Sequence, residues 1–303
     1  MRILRPIQFV IVVAALLAMP RGGDGYRVNG DGCRAGACPS LLQWRGPRPS
    51  RRPGQAPALH PSRLIFDNPL TPDTSDAGIT MAQPSPYTST SRISSKRILS
   101  DFVPDGDLRQ REWGAAEWQE FDHAMRGAPS YPRASTRVAS LWTASYVYFG
   151  FRCQFTSLNV YEGEDPSRER WQLWERDVAE VFLNPQPERV THYYEFEVAP
   201  NNQWIDLEID KTKTPFNDAG WDSRFDHATR VDAANHVWTC EMRIPVKSMG
   251  VEAIHTGDEW RLNFFRADGP GDDSRRRFMS WSTIPEGNSF HVPERFGIIH
   301  FER

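Results

Sequence analysis

The sequence predicts an all-β fold: an antiparallel β-sandwich of two packed sheets, jelly-roll or immunoglobulin-like, behind a disordered N-terminal extension. Three observations lead there. Apolar and polar residues alternate with period 2 in a series of runs between residues 146 and 266. Turn residues separate those runs, as in Asn184-Pro185, Pro200-Asn201-Asn202, Asp232 to Asn235 and Gly257-Asp258. No stretch of about ten or more residues carries the 3.6-residue period of a helix. Strands with one apolar and one polar face bury the apolar face by packing sheet on sheet, which here gives roughly eight to ten strands.

Each run states its own faces. In Tyr146–Phe155, Val147, Phe149, Phe151, Cys153 and Phe155 share one side, with Tyr148, Gly150 and Arg152 on the other. In Asp177–Leu183, Ala179, Val181 and Leu183 alternate with Val178, Glu180 and Phe182. In Tyr193–Val198, Tyr194, Phe196 and Val198 alternate with Tyr193, Glu195 and Glu197. In Gln203–Asp210, Ile205, Leu207 and Ile209 alternate with Trp204, Asp206 and Glu208. His236–Ile244 groups Trp238, Cys240, Met242 and Ile244, and Glu259–Arg266 groups Trp260, Leu262 and Phe264. The rows carrying Glu195, Glu197, Asp206 and Glu208 read as a solvated outer face.

The first hundred residues read differently. Arg2 and Arg5 precede an apolar run, Ile7 to Met19, too short for the ~20 residues of a spanning helix. Residues 1–20 are therefore expected to be a signal peptide, so the mature protein has no membrane span and is secreted or periplasmic. Residues 21–98 are rich in Pro, Arg, Gly and Ser and bury too little apolar surface to offset their ordering entropy. They are expected to be a disordered linker. An alternative start lies at Met81: the chain has 36 Lys plus Arg but only four Lys, and an Arg- and Pro-rich leader is what a spurious GC-rich upstream frame would encode. Localisation would then be open. The folded domain is expected over 99–303.

Composition excludes several classes. The formal net charge of −3 offers no polybasic surface for nucleic acid. Four cysteines are too few for a disulfide framework; Cys153 and Cys240 read as buried thiols, with an inter-sheet disulfide as the alternative. Cys33 and Cys38 have no second ligand pair nearby for a metal. No nucleophile elbow, H-E-x-x-H, phosphate loop or dinucleotide fingerprint occurs. The 11 Trp point toward sugar or aromatic recognition as well as core packing. In the stretch Trp171 to Pro185, Trp174 offers a flat face ahead of a strand that carries Glu180. An aromatic face with a nearby carboxylate suits a sugar, which stacks its C–H groups and donates its hydroxyls.

At this stretch the chain resembles a known family. Leu173-Trp174-Glu175-Arg176-Asp177-Val178-Ala179-Glu180-Val181-Phe182-Leu183 is similar to the signature strand of the family 9 carbohydrate-binding modules and their relatives. Val103 to Asp107, Trp113 to Trp118, Val138 to Phe151, Tyr193 to Val198, Ser280-Trp281-Ser282 and Phe290 to Gly297 match in order, so the likeness covers about 99–303. It implies a β-sandwich that binds an oligo- or polysaccharide, of plant glucan or xylan type, without cleaving it. It also implies structural calcium. Carried over, Trp174 and Trp281 would be the two rings of a sugar clamp, with Glu180, Glu197 and Arg152 as polar contacts. Asp105 and Asp107 would be calcium ligands. Where sugar-binding members carry Arg and Asn after the signature, this chain has Glu197 and Ala199. The family accompanies glycanases, yet this chain shows no catalytic domain; a monomeric binding protein is expected. Two alternatives stand beside it: a haem or redox sandwich using Met242, Met249, Met279, His291 or Lys247, and a glycoside hydrolase built on the paired carboxylates.

Overall fold

The computed structural model describes residues 85–270, 275–285 and 289–303. The signal peptide, most of the linker, Met81, Cys33 and Cys38 lie outside the described residues. Thirteen strands occur among the described residues, joined by turns and short 3-10 helices. They are β1 (Arg92–Arg97), β2 (Gln119–Phe121), β3 (Thr136–Trp142), β4 (Tyr146–Gln154) and β5 (Val178–Asn184). Next come β6 (His192–Val198), β7 (Trp204–Asp210), β8 (Asn217–Asp218), β9 (Asp226–Asp232) and β10 (Val237–Pro245). The last are β11 (Glu259–Asp268), β12 (Arg277–Ser280) and β13 (Gly297–Glu302).

The two-sheet sandwich is corrected to one continuous sheet. Hydrogen bonding runs unbroken in the order β8-β7-β6-β5-β11-β13-β1-β3-β4-β10-β9, with β12 on β11 and β2 on β3. The joint is β1, which pairs in parallel with both β13 and β3, whereas every other ladder is antiparallel. Without β1 the remaining strands would divide into two sheets, the arrangement that the alternation implies. The linker boundary at 98 moves with it, because Arg92–Arg97 is strand. Its inward positions are Ile93 and Ser95, so it lacks an apolar alternation. Ser95 instead shares a buried hydroxyl hydrogen bond of 2.8 Å with Ser140 of β3.

The sheet curls until its halves face each other. Phe149 and Phe151 of β4 meet Phe264 of β11 edge to face at 5.5 and 5.7 Å. Around them Val147, Val181, Leu183, Phe196, Trp238, Cys240, Met242 and Leu262 form the main core. The apolar rows of β4, β5, β6, β10 and β11 all point here, as their alternation predicts. Cys153 and Cys240 are buried free thiols in this core, so the disulfide alternative is not formed. Behind β4, Gly150 leaves room for Trp113, whose ring would lie 2.8 Å from any Cβ placed there.

The two ends of the strand order approach without backbone pairing. Trp204 of β7 lies 5.4 Å from the His227 ring of β9, and His227 Nδ1 is 3.1 Å from the Asn202 side-chain oxygen. Thr229 donates to the Pro200 carbonyl at 3.0 Å.

Burial holds the His227 imidazole down at about 4, against an ordinary value of 6.5. The folded state therefore takes up a proton later than the unfolded chain as pH falls. The stability that neutral His227 contributes is present above about pH 6.5 and is lost toward pH 4. Urea titration of wild type and His227→Gln should show the wild-type margin shrinking between pH 7 and pH 4.5. A margin independent of pH would contradict this role.

Candidate functional site

The sheet region β5-β6-β7-β11 is covered on both faces, and the site follows from that. Ala179, Val181 and Leu183 enter the main core, while Val178, Glu180 and Phe182 face the other way. On that second face Phe182, Tyr193, Leu207, Phe265 and Phe296 make a smaller core. Phe290 stacks on Phe265 with centroids 4.2 Å apart and completes the cover. The row expected to be solvated is therefore enclosed: Glu180, Glu195 and Glu197 are 1%, 3% and 0% exposed. The face of β7 is also reversed from the expectation. Register places Glu195 opposite Leu207 and Glu197 opposite Ile205, so Ile205, Leu207 and Ile209 belong to the second core.

A cavity of about 680 Å³ opens in this layer. Its floor is Glu180, Glu195 and Glu197; Trp174, Phe216, Phe278 and Phe290 supply aromatic wall, and Arg276 and His291 complete it. Antiparallel pairing sets Glu180 directly opposite Glu197, and Glu195 follows on the same face of β6. Trp174 is placed by the 3-10 helix Leu173–Glu175, which starts after Gln172 at a φ of 64° and runs into β5. Trp171 packs edge-on against Trp174 at 5.0 Å. The Arg276 guanidinium donates to the carbonyls of Trp174 and Arg176, both at 2.7 Å, and ties β12's approach to that turn.

The electrostatics are set by like charge in a dry place. Burial raises Glu180 well above the ordinary carboxylate range, Glu195 adds to this, and Arg276 opposes it. Burial raises Glu197 likewise, reinforced by Glu180 and Glu195, and burial lifts Glu195 to about 7. Burial lowers His291 to about 4, so its ring is neutral, with Nδ1 2.9 Å from the Tyr193 hydroxyl. Among the described residues lining the cavity, Arg276 is the one cationic side chain.

The structure thus brings together Trp174, Glu180 and Glu197 of the expected residues, and not the others. Trp281 packs on Phe264, donates to Gln119 at 2.6 Å and lies against Gly297, so it serves the barrel-like wall and not this cavity. Arg152 sits opposite Arg137 on the outer face of β4 and lines a different cavity, with Asp107, Trp118 and Arg230. Asp105 and Asp107 do not fit calcium. All four of their carboxylate oxygens already accept N–H donors, from Asp107, Arg109 and Arg230, and two of those partners are guanidinium cations. Of the haem-ligand candidates, Met242, Met249 and Met279 are buried in the main core, His291 Nδ1 lies 2.9 Å from the Tyr193 hydroxyl, and Lys247 pairs with Glu252 at 3.3 Å. Sequence reasoning missed Arg276, Phe216, Phe278 and Phe290 as site residues, and weighed Glu195 only among the paired carboxylates of a hydrolase. The alternation that pairs Glu195 with Glu197 was visible; nothing local marks Arg276 within Arg275-Arg276-Arg277.

The profile of the carbohydrate family 9 binding domain-like family matches residues 104–303. The chain belongs to that family. This family 9-like domain is also similar to solved structures of the same type. A Bacteroides uniformis protein described as carbohydrate-binding superposes with a TM-score of 0.57 at 19% identity, over 71% of this chain and 100% of that one. A family 9 carbohydrate-binding module from Caldicellulosiruptor kristjanssonii in complex with cellotriose gives 0.53 at 19% identity, over 70% and 94%. The glucose complex of a family 9 module from the same organism gives 0.51 at 19%, over 70% and 96%. At these identities the likeness establishes the fold. An extracellular protein of Arthroderma benhamiae is 26% identical over 151 residues, which is 45% of this chain and 66% of that protein's length. No described helix is long and apolar enough to cross a membrane.

Gly297 tests the structural role of Trp281. A Cβ there would collide with the Trp281 ring and lie 2.6 Å from the Ser91 carbonyl oxygen. Gly297→Ala should destabilise by about 1–3 kcal/mol in chemical denaturation, as overpacking of a close contact does. Stability equal to wild type would show that Trp281 is free to move.

Proposed function

We propose that the cavity over β5 and β6 binds an oligo- or polysaccharide without cleaving it. The observation that carries this reading is the convergence of Trp174, Glu180 and Glu197, with Arg276, in one cavity. About 680 Å³ lies within the ~300–1,000 Å³ of small-molecule sites. Aromatic walls stack the C–H faces of a pyranose, the carboxylates accept hydroxyl protons, and the guanidinium donates to ring or hydroxyl oxygens. Family membership supports the same reading. So do the cellotriose and glucose complexes of the Caldicellulosiruptor modules, which make a β-glucan or related plant glycan the first ligand to try. Binding of such a glycan would serve polysaccharide catabolism, and the Arthroderma relative, described as extracellular, supports a site of action outside the cytoplasm.

Binding is favoured over hydrolysis by where the carboxylates stand. A glycosidase sets two carboxyl groups on either side of the scissile bond, ~5–9.5 Å apart. Glu180, Glu195 and Glu197 come from adjacent strands of one floor, with an oxygen from each within 4.8 Å of the others.

Calorimetric titration of the chain with glucose, cellobiose, xylobiose and soluble xylan, with and without calcium, tests the proposal. At least one saccharide should bind with a micromolar to millimolar Kd. Trp174→Ala should abolish the signal, and Glu180→Gln should weaken it by about tenfold or more, the worth of a hydrogen bond to a charged group. Arg152→Ala should leave it unchanged. Silence across the panel in a folded protein, or binding indifferent to Trp174→Ala, would overturn the assignment.

A further inference from the structure

We propose that a second cavity, on the outer face of β3, β4, β10 and β9, binds a saccharide that carries a carboxylate, a uronic acid. The sheet register builds it. Arg137 of β3 stands directly opposite Arg152 of β4, Arg152 opposite Thr239 of β10, and Thr239 opposite Arg230 of β9. Residues paired across an antiparallel ladder share a face, so three arginines and a threonine form one lateral row. The cavity over this row has a volume of about 720 Å³ and shares no lining residue with the one over β5 and β6.

The row carries unmatched positive charge. Arg230 gives its guanidinium to Asp105 and Asp107, at 3.0 and 2.9 Å, and Arg109 takes the same Asp107 at 2.7 Å. Asp232, the other aspartate of the lining, holds the Asn235 amide at 2.7 Å. Glu120 of β2 lies opposite Arg137, yet its carboxylate accepts from the Ser135 hydroxyl. Among the described residues, neither Arg137 nor Arg152 has a carboxylate within ion-pair distance. Arg137 instead lies over the Trp118 ring, 5.6 Å from its centroid. Like charges directly opposite one another in a sheet repel, and an anion between them removes the repulsion. The guanidinium fork also matches a carboxylate, two N–H groups to two oxygens.

The remaining lining says what the anion is attached to. An inorganic anion would fill a small part of about 720 Å³, a volume within the ~300–1,000 Å³ of small-molecule sites. Trp118, Leu108 and Val237 give an apolar wall for the C–H face of a pyranose. The Thr239 hydroxyl donates to the Gly106 carbonyl at 2.7 Å, which leaves its oxygen to accept from a ligand hydroxyl. A sugar acid uses guanidinium, wall and hydroxyl acceptor together, whereas phosphate uses only the first. The acidic floor of Glu180, Glu195 and Glu197 disfavours such a ligand, so the two cavities divide neutral from acidic sugars. The choice of a sugar among organic acids rests in part on the saccharide reading of the first cavity; the anionic site does not.

The experiment is a calorimetric titration of the chain at low ionic strength with glucuronate, digalacturonate, the neutral methyl esters of both, and inorganic phosphate. At least one uronate should bind, one per chain, with a micromolar to millimolar Kd, and its methyl ester at least about tenfold more weakly. Arg137→Gln and Arg152→Gln should each weaken the uronate by about tenfold or more, the worth of a hydrogen bond to a charged group. Arg168→Gln, which removes an exposed arginine that lines neither cavity, should bind as wild type. Circular dichroism melts of each variant confirm that it is folded. Absence of uronate binding by folded wild type overturns the proposal, as does an ester that binds equally well or binding unchanged in both cavity variants. Phosphate competing as strongly as the uronate overturns the saccharide assignment. Loss of the uronate in Trp174→Ala with both arginine variants intact would move it to the first cavity and overturn the second. Neutral sugars read the Trp174 cavity and uronates read this one, so either titration can fail alone.

Discussion

Everything at the site depends on β5 and β6 being covered on both faces. A half-exposed sheet would leave Glu180, Glu195 and Glu197 in water, where they would be an ordinary solvated row. Here Phe182, Tyr193, Phe265 and Phe290 build a second apolar layer around them. Charged groups removed from water must find partners or change protonation state. Among the described residues lining the cavity Arg276 is the one cationic side chain, and its guanidinium also holds the carbonyls of Trp174 and Arg176. The three carboxylates line a cavity of about 680 Å³. Burial, cavity and chemistry are consequences of one packing arrangement.

That arrangement rests in turn on the curl of the sheet. β1 stitches β13 to β3, so the two halves are held by backbone hydrogen bonds as well as by the Phe149, Phe151 and Phe264 contacts between them. At the far ends the halves are held by side chains: Trp204, Phe225 and His227 close what the backbone does not. Trp281 belongs to this scaffold, wedged beside Gly297 next to the β1 joint. Its packing against Phe264 explains why a tryptophan in the closing segment of the family pattern does not reach the cavity over β5 and β6.

Most of the strand inventory was legible in the sequence because the main core is read by simple alternation. Val147, Phe149 and Phe151 of β4 and Trp238, Cys240 and Met242 of β10 point as expected. Three things were not legible. β1 has a serine where an inward apolar residue would announce a strand, and Ser95 is satisfied by Ser140, a partner 45 residues away. The faces of β7 were inverted because apolar Ile205 and Leu207 look core-facing, and they are, but toward the second core. The burial of Glu195 and Glu197 follows from distant segments, Phe278 and Phe290 among them, that fold over the strand. Local period says which residues share a face; it does not say what lies above that face. Trp174 and Glu180 could be read together from the sequence because one flanks β5 and the other lies on it. Arg276 arrives from about a hundred residues away.

The most direct test of this account is a crystal structure of the chain grown with the tightest-binding saccharide of the titration panel. The account predicts sugar density over the floor of Glu180, Glu195 and Glu197, with a pyranose ring against Trp174. Density instead beside Trp281 or in the Arg152 cavity, with the Glu180 floor empty, would contradict it.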